Sequence, residues 1–223
     1  MGKLIVFEGI DGSGKSTQFK LICERFNNEG RKFKRLVFPR YNEPSSALIK
    51  MYLAGEFGKN PGSVNAYAAS SFYAVDRYAS FIQEWRDYYI DGGLILTDRY
   101  TTSNALHQGA KIAPEERIEF FKWLYEYEFS LIGLPAPDLV LYMNIDPELA
   151  GKRLLHRQAD TNTKADIHET DISYLRSCAE SGILATVQYN WYKVNCTETG
   201  FERPENEIHK EIYDLIIRLI NDN

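Results

Sequence analysis

Short apolar runs alternate along the chain with segments of helical period. The runs fall at residues 4–7, 36–38, 94–97, 139–145 and 193–196. They lack the strict polar–apolar alternation of a half-exposed sheet, as strands buried on both faces do. Between the first two, Phe19, Ile22 and Phe26 recur at helical spacing before Gly30; residues 65–90 form a long helical segment, and another helix follows Pro147. The last helix opens near Pro204 and sets Ile208, Ile212, Leu215, Ile216 and Leu219 on one stripe, which reads as core packed on the sheet. The pattern predicts an α/β fold with a parallel sheet covered by helices on both faces. In such a sheet, ligands sit outside the carboxyl ends of the strands, so chemistry is sought just after each run.

After the first run, Gly9, Gly14, Lys15 and Ser16 fill the pattern G-x-x-x-x-G-K-[ST], with Asp11, Gly12 and Ser13 inside it and Thr17 behind it. Strand, glycine loop and helix start come in the required order. In such a loop, glycines let successive backbone N–H groups converge on phosphates and the helix dipole adds positive potential. Lys15 reaches the β- and γ-phosphates, and the Ser16 hydroxyl is a Mg²⁺ ligand. A nucleoside triphosphate is the expected ligand.

Composition narrows the setting. The 223 residues and 25.7 kDa suit one domain over 1–223, and a net charge of -5 argues against a nucleic-acid polymer as partner. Cys23, Cys178 and Cys196 form no CxxC pair, which fits free thiols in a reducing, cytoplasmic compartment; no apolar run approaches the length that spans a membrane. The polar stretch 158–167 reads as part of a mobile lid over about 152–170.

The second and third strand ends carry Phe38-Pro39-Arg40-Tyr41 and Asp98-Arg99-Tyr100. Two arginines beyond the triphosphate loop imply a second anion, and an acceptor that is already a phosphate needs charge screening and alignment rather than a base. Asp98 is a candidate Mg²⁺ partner beside the P-loop strand. Phe38 and Tyr41 flank Arg40, while Tyr73 and Arg77 share one helix face at i, i+4; together they offer a slot for a planar base.

These blocks, with Ser103-Asn104 and Asp166-Ile167-His168-Glu169, resemble the thymidylate kinase family in order and spacing from residue 5 to about 170. The resemblance implies a P-loop NTPase-type three-layer α/β/α fold with a five-stranded parallel sheet and a short lid. It implies ATP with Mg²⁺ as donor system, dTMP as acceptor of the γ-phosphoryl group, and a homodimer. By position, Asp11 falls on the family's P-loop acid near the sugar 3′-hydroxyl, and Tyr73 on its thymine-stacking aromatic, with Arg77 as the base-contacting arginine. Ser103 and Asn104 fall on base and phosphate contacts, and Arg99 on the acceptor-phosphate clamp; His107 stands where many members have tyrosine. Members with glycine at the position of Gly12 supply transition-state arginines from the lid, here Arg153 and Arg157.

Three other readings make different demands. A deoxynucleoside kinase expects a catalytic carboxylate after the second strand, where Pro39-Arg40 stands and Glu43 is the nearby acid. A guanine-dependent switch would use Thr163-Lys164-Ala165-Asp166, but that motif should follow a buried strand and here follows a polar stretch. A kinase-like protein without turnover would keep the loop and lose the lid chemistry.

Overall fold

The computed structural model describes residues 1–161, 172–198 and 200–221. Its five-stranded sheet comprises β1 (Lys3–Glu8), β2 (Lys34–Val37), β3 (Leu94–Asp98), β4 (Leu139–Asn144) and β5 (Tyr192–Asn195). The order is β2-β3-β1-β4-β5 with every pairing parallel, so each predicted run is a strand of one sheet. A two-stranded antiparallel ribbon, β6 (Thr197–Glu198) with β7 (Phe201–Glu202), follows β5 and was not legible in the apolar pattern, because Phe201 is its one large apolar residue and is exposed.

Leu4, Ile5, Val6 and Phe7 of β1 have no exposed surface, as expected of the central strand of a sheet covered on both faces. The helices are α1 (Lys15–Asn28), α2 (Ala47–Leu53), α3 (Ala66–Ser80), α4 (Arg86–Ile90), α5 (Thr102–His107), α6 (Arg117–Tyr125), α7 (Pro147–Thr161), α8 (Ile172–Gln188) and α9 (Glu205–Asn221). The α1 stripe of Phe19, Ile22 and Phe26 is buried, and Ile208, Ile212 and Ile216 of α9 are buried as well. The two helices touch where Phe26 meets Tyr213 edge-on at 6.0 Å.

The predicted helical segment 65–90 is continuous. Asn65 caps α3 by accepting a 2.8 Å bond from the Ala68 N–H, and a π-turn at Phe81–Trp85 joins α3 to α4. A second π-turn, Glu126–Leu131, extends α6. Such turns add a residue to the helical ladder and shift the faces beyond them.

The sheet order reverses around β1, so the crevice beyond its carboxyl end and that of β3 is a switch point where an open α/β sheet binds ligands. In the β1–β3 register, Phe7 lies opposite Asp98. The ends of these two strands therefore deliver the glycine loop and the Asp98-Arg99 pair to one place. Phe7 also meets Phe19 of α1 edge-on at 5.3 Å, tying strand to helix directly below the loop. Phe7→Ala is expected to lower unfolding stability by about 3–5 kcal/mol, read by urea denaturation, since the surrounding sheet and helix cannot close the void. A change below about 1 kcal/mol would contradict this account of the core.

Candidate active site

The glycine loop takes its shape from glycines with positive φ, Gly12 and Gly14 foremost. Gly12 has φ +80°, and a Cβ there would lie 2.4 Å from the Ala150 carbonyl oxygen of α7; Gly14 has φ +86° immediately before α1. Any side chain at Gly12 would collide with backbone, so the loop and the start of α7 approach because position 12 has none. Lys15 Nζ, almost fully buried, lies 2.6 Å from Asp98 Oδ1, and the Ser16 hydroxyl donates to Asp98 Oδ2 at 2.8 Å. Burial raises the Asp98 carboxyl, but Lys15 and Arg99 outweigh it and hold its pKa below the usual range. Burial, then the Arg99 charge, lowers Lys15. The Ser13 hydroxyl is buried without a hydrogen-bond partner.

Beside this loop stands a second cationic centre. Arg99 has φ 70°, a left-handed backbone that costs a non-glycine residue energy and calls for support. The support is local: the Arg99 N–H donates to the Phe7 carbonyl at 3.1 Å, and the Thr97 hydroxyl donates to the Arg99 carbonyl at 2.8 Å. Its guanidinium pairs with Asp11 and reaches Ser103 Oγ at 3.4 Å and His107 Nε2 at 2.9 Å. Burial works against the Arg99 charge, but Asp11, Glu8 and Asp98 more than offset it and raise its pKa. Glu8, wholly buried at the end of β1, accepts from Ser103 Oγ at 2.7 and 2.9 Å.

A cavity of about 760 Å³ joins the two centres, walled by the glycine loop, Lys15, Ser16, Thr17, Asp98 and Arg99. Phe38, Tyr41, Tyr73, Arg77, Ser103, Asn104 and His107 line its far side, so the predicted base slot and the predicted acceptor contacts meet one another. Gly9 lies behind the wall rather than in it.

Arg40 behaves differently from the sequence expectation that it would converge with Arg99. Its guanidinium bonds Asp76 Oδ1 at 3.2 Å, Glu84 Oε1 at 2.5 Å and Ser45 Oγ at 2.9 Å, and it does not line the cavity. Two carboxylates neutralise it at the rim.

Three further residues escaped the sequence reading. Glu128, fully buried, takes both Nε and Nη2 of Arg77 at 2.7 and 2.5 Å. The signal was an acid continuing the buried stripe of Phe120, Phe121 and Leu124, a place where a carboxylate needs a partner. Gln108 lines the cavity with its Oε1 buried and without a hydrogen-bond partner. Glu202 of β7 accepts from Arg153 Nη2 at 2.5 Å, while Arg153 Nη1 donates to the Gly12 carbonyl at 3.3 Å. Arg153 thus lies against the loop. The Arg157 side chain and residues 162–171, which hold most of the predicted lid with Lys164, Asp166 and Glu169, lie outside the described residues.

A phosphate loop on the central strand, facing a second cationic pocket across one crevice, defines the class as a P-loop kinase that handles two phosphorylated ligands. The family model for thymidylate kinase matches residues 7–212. "Thymidylate kinase" of Mycobacterium tuberculosis is 34% identical over 170 residues, covering 75% of this chain and 78% of that protein. "Thymidylate kinase" of Caenorhabditis elegans is 32% identical over 161 residues, 68% of this chain and 67% of that one. A 27% identity to "Probable thymidylate kinase" of Pyrobaculum aerophilum extends over 97% of both chains. The chain belongs to the thymidylate kinase family.

Glu8 gives the site a pH signature. Burial lifts its pKa from 4.5 to about 7 against the pull of Arg99, Ser103 and Lys15. The folded state then holds this proton more tightly than the unfolded chain, so the associated stability is complete below about pH 4.5 and is lost as pH rises through about 7. Glu8→Gln cannot ionise; across that window the wild-type melting temperature is expected to fall relative to the variant. Parallel melting curves for the two proteins would contradict the assignment.

Proposed function

We propose that the chain transfers the γ-phosphoryl group of ATP to dTMP, giving dTDP and ADP, as a step of pyrimidine deoxynucleotide biosynthesis. The reading rests on one observation: the Lys15–Asp98–Ser16 cluster and the Arg99–Asp11 cluster open into the same cavity. The loop suits a nucleotide phosphate and Mg²⁺. Its hydroxyl at Ser13 is buried and unpartnered, and positions 12 and 14 leave a cradle free of side chains. Among the described residues, no group of three or more His, Cys, Asp or Glu could hold a metal alone, so a divalent ion here would take its remaining ligands from phosphate and water. Ser16 and Asp98 would hold Mg²⁺, which would supply charge screening at the phosphates.

The chain's own groups account for the rest. Lys15 leaves Asp98 for the donor phosphates, and Arg99 exchanges Asp11 for the acceptor phosphate, which frees Asp11 for the sugar hydroxyl. The acceptor oxygen is already ionised, so alignment and charge stabilisation suffice and no covalent intermediate is needed. Tyr73 stacks on the base with Phe38 and Tyr41 at its edges; Arg77, Ser103, Asn104 and His107 complete the acceptor contacts. Arg153, already against the Gly12 carbonyl, adds charge at the transferring group, with Arg157 as its partner from the same helix. Arg40 belongs to the rim, because Asp76 and Glu84 occupy its donors.

The same proposal treats 1–223 as one kinase unit with a lid over about 152–170, working as a cytoplasmic homodimer. The exposed stripe of Tyr67, Val75, Tyr78 and Ile82 along α3 and its π-turn supports self-association, and the buried free thiols Cys23, Cys178 and Cys196 support a reducing compartment. No described helix is long and apolar enough to cross a membrane.

A coupled ADP-release assay with ATP is the direct test. Turnover is expected with dTMP and not with thymidine; activity on thymidine alone would replace the reading with a deoxynucleoside kinase. Lys15→Ala is expected to reduce kcat by about 10²-fold or more. Arg99→Ala should instead raise the KM for dTMP by about 10- to 100-fold, the value of a charge-assisted contact.

A further inference from the structure

Arg77 and Asn104 stand side by side in the acceptor end of the cavity, and both answer to one carboxylate. Glu128 Oε1 accepts from Arg77 Nη2 at 2.5 Å and from Asn104 Nδ2 at 3.3 Å. Its Oε2 accepts from Arg77 Nε at 2.7 Å and from the Thr101 hydroxyl at 2.8 Å. Asn104 Nδ2 also donates to the Ser70 carbonyl at 3.3 Å. All of these groups are at least nine-tenths buried, so water does not compete for them.

The consequence is a fixed polarity. With two oxygens on its Nδ2, the Asn104 amide has one assignment, and what it has left for a ligand is Oδ1, an acceptor. With Nε and Nη2 on Glu128, Arg77 is left with Nη1 as its open corner, a donor whose protein contact is the Tyr100 carbonyl at 3.4 Å. A donor beside an acceptor matches the edge of a pyrimidine that carries O4 next to N3–H. It opposes one that carries a 4-amino group next to an unprotonated N3, where both partners would meet their own kind.

We infer that Glu128 is a positioning residue that sets this hydrogen-bond polarity, through Arg77 and Asn104, and so makes the slot select 4-oxo over 4-amino pyrimidine nucleotides. The inference rests on the acceptor site proposed above and deepens it. Arg77 needs both Glu128 oxygens to leave Nη1 as its open corner, while the Asn104 amide is held by Glu128 Oε1 together with the Ser70 carbonyl. Glu128→Gln places an amide N–H₂ against Arg77 in either orientation, facing Nη2 and Asn104 Nδ2 on one side or Nε and the Thr101 hydroxyl on the other, so Arg77 loses one of the two bonds that leave Nη1 as its open corner.

The test compares dTMP with 5-methyl-dCMP, which differ at position 4 and N3 while keeping the methyl group, by equilibrium binding to the purified full chain. The wild-type protein is expected to prefer dTMP by about 100-fold or more, as a site with buried polar partners rejects a mismatched edge. In Glu128→Gln the preference should narrow to about 10-fold or less, with ATP affinity unchanged. Thr101→Val keeps the side-chain volume and removes one donor from Oε2; it serves if Glu128→Gln does not fold, and should narrow the preference by about 3-fold. Wild-type binding of dTMP with an unaltered preference in the folded variants would overturn the role of Glu128 and leave the kinase reading standing. Failure of the wild-type chain to bind dTMP would instead overturn the kinase reading itself.

Discussion

The parallel pairing of β1 with β3 is the constraint on which the site depends. Because Phe7 lies opposite Asp98, the glycine loop that continues β1 and the Asp98-Arg99 pair that ends β3 leave the sheet at the same level. The Arg99 N–H bond to the Phe7 carbonyl extends that ladder by one rung into the site. A slip of one residue would turn Asp98 to the opposite face of the sheet, and Lys15 would lose its 2.6 Å partner. Sheet register is therefore also active-site geometry here.

Buried cations need company before a ligand arrives. Lys15 is held by Asp98 and Arg99 by Asp11, with Glu8 beneath both. In the function proposed here, a phosphate would take the place of Asp98 on Lys15 and of Asp11 on Arg99, exchanging with a resident anion instead of entering an unbalanced field. The arrangement limits the desolvation that unpaired charges would suffer, and it keeps the donors aimed at the cavity. The contrast between Arg99 and Arg40 is one of place: two carboxylates and a serine surround Arg40 outside the cavity wall, whereas Arg99 and its partner Asp11 line it.

Much of this was written in the chain. The five apolar runs are the five strands, the glycine motif is the loop, and Tyr73 with Arg77 does face the cavity, because period and motif spacing are local properties. The fate of Arg40 was not legible. Its position after β2 is local, but its partners Asp76 and Glu84 come from α3 and the π-turn beyond it. Glu128 was hidden for the same reason: its pairing with Arg77 joins residues 51 apart, and the π-turn that carries it leaves no sequence signature. The β6–β7 ribbon is too short and too polar to register as strands. Local chemistry was readable, whereas the counter-charges that aim it were set by tertiary contacts.

The small antiparallel ribbon after β5 has a mechanical side. One end of the Arg153 guanidinium rests on the Gly12 carbonyl and the other on Glu202 of that ribbon. The ribbon and the glycine loop are thus linked through a single planar ion that lines the crevice. Residues that follow the last strand thereby share a side chain with the turn that follows the first.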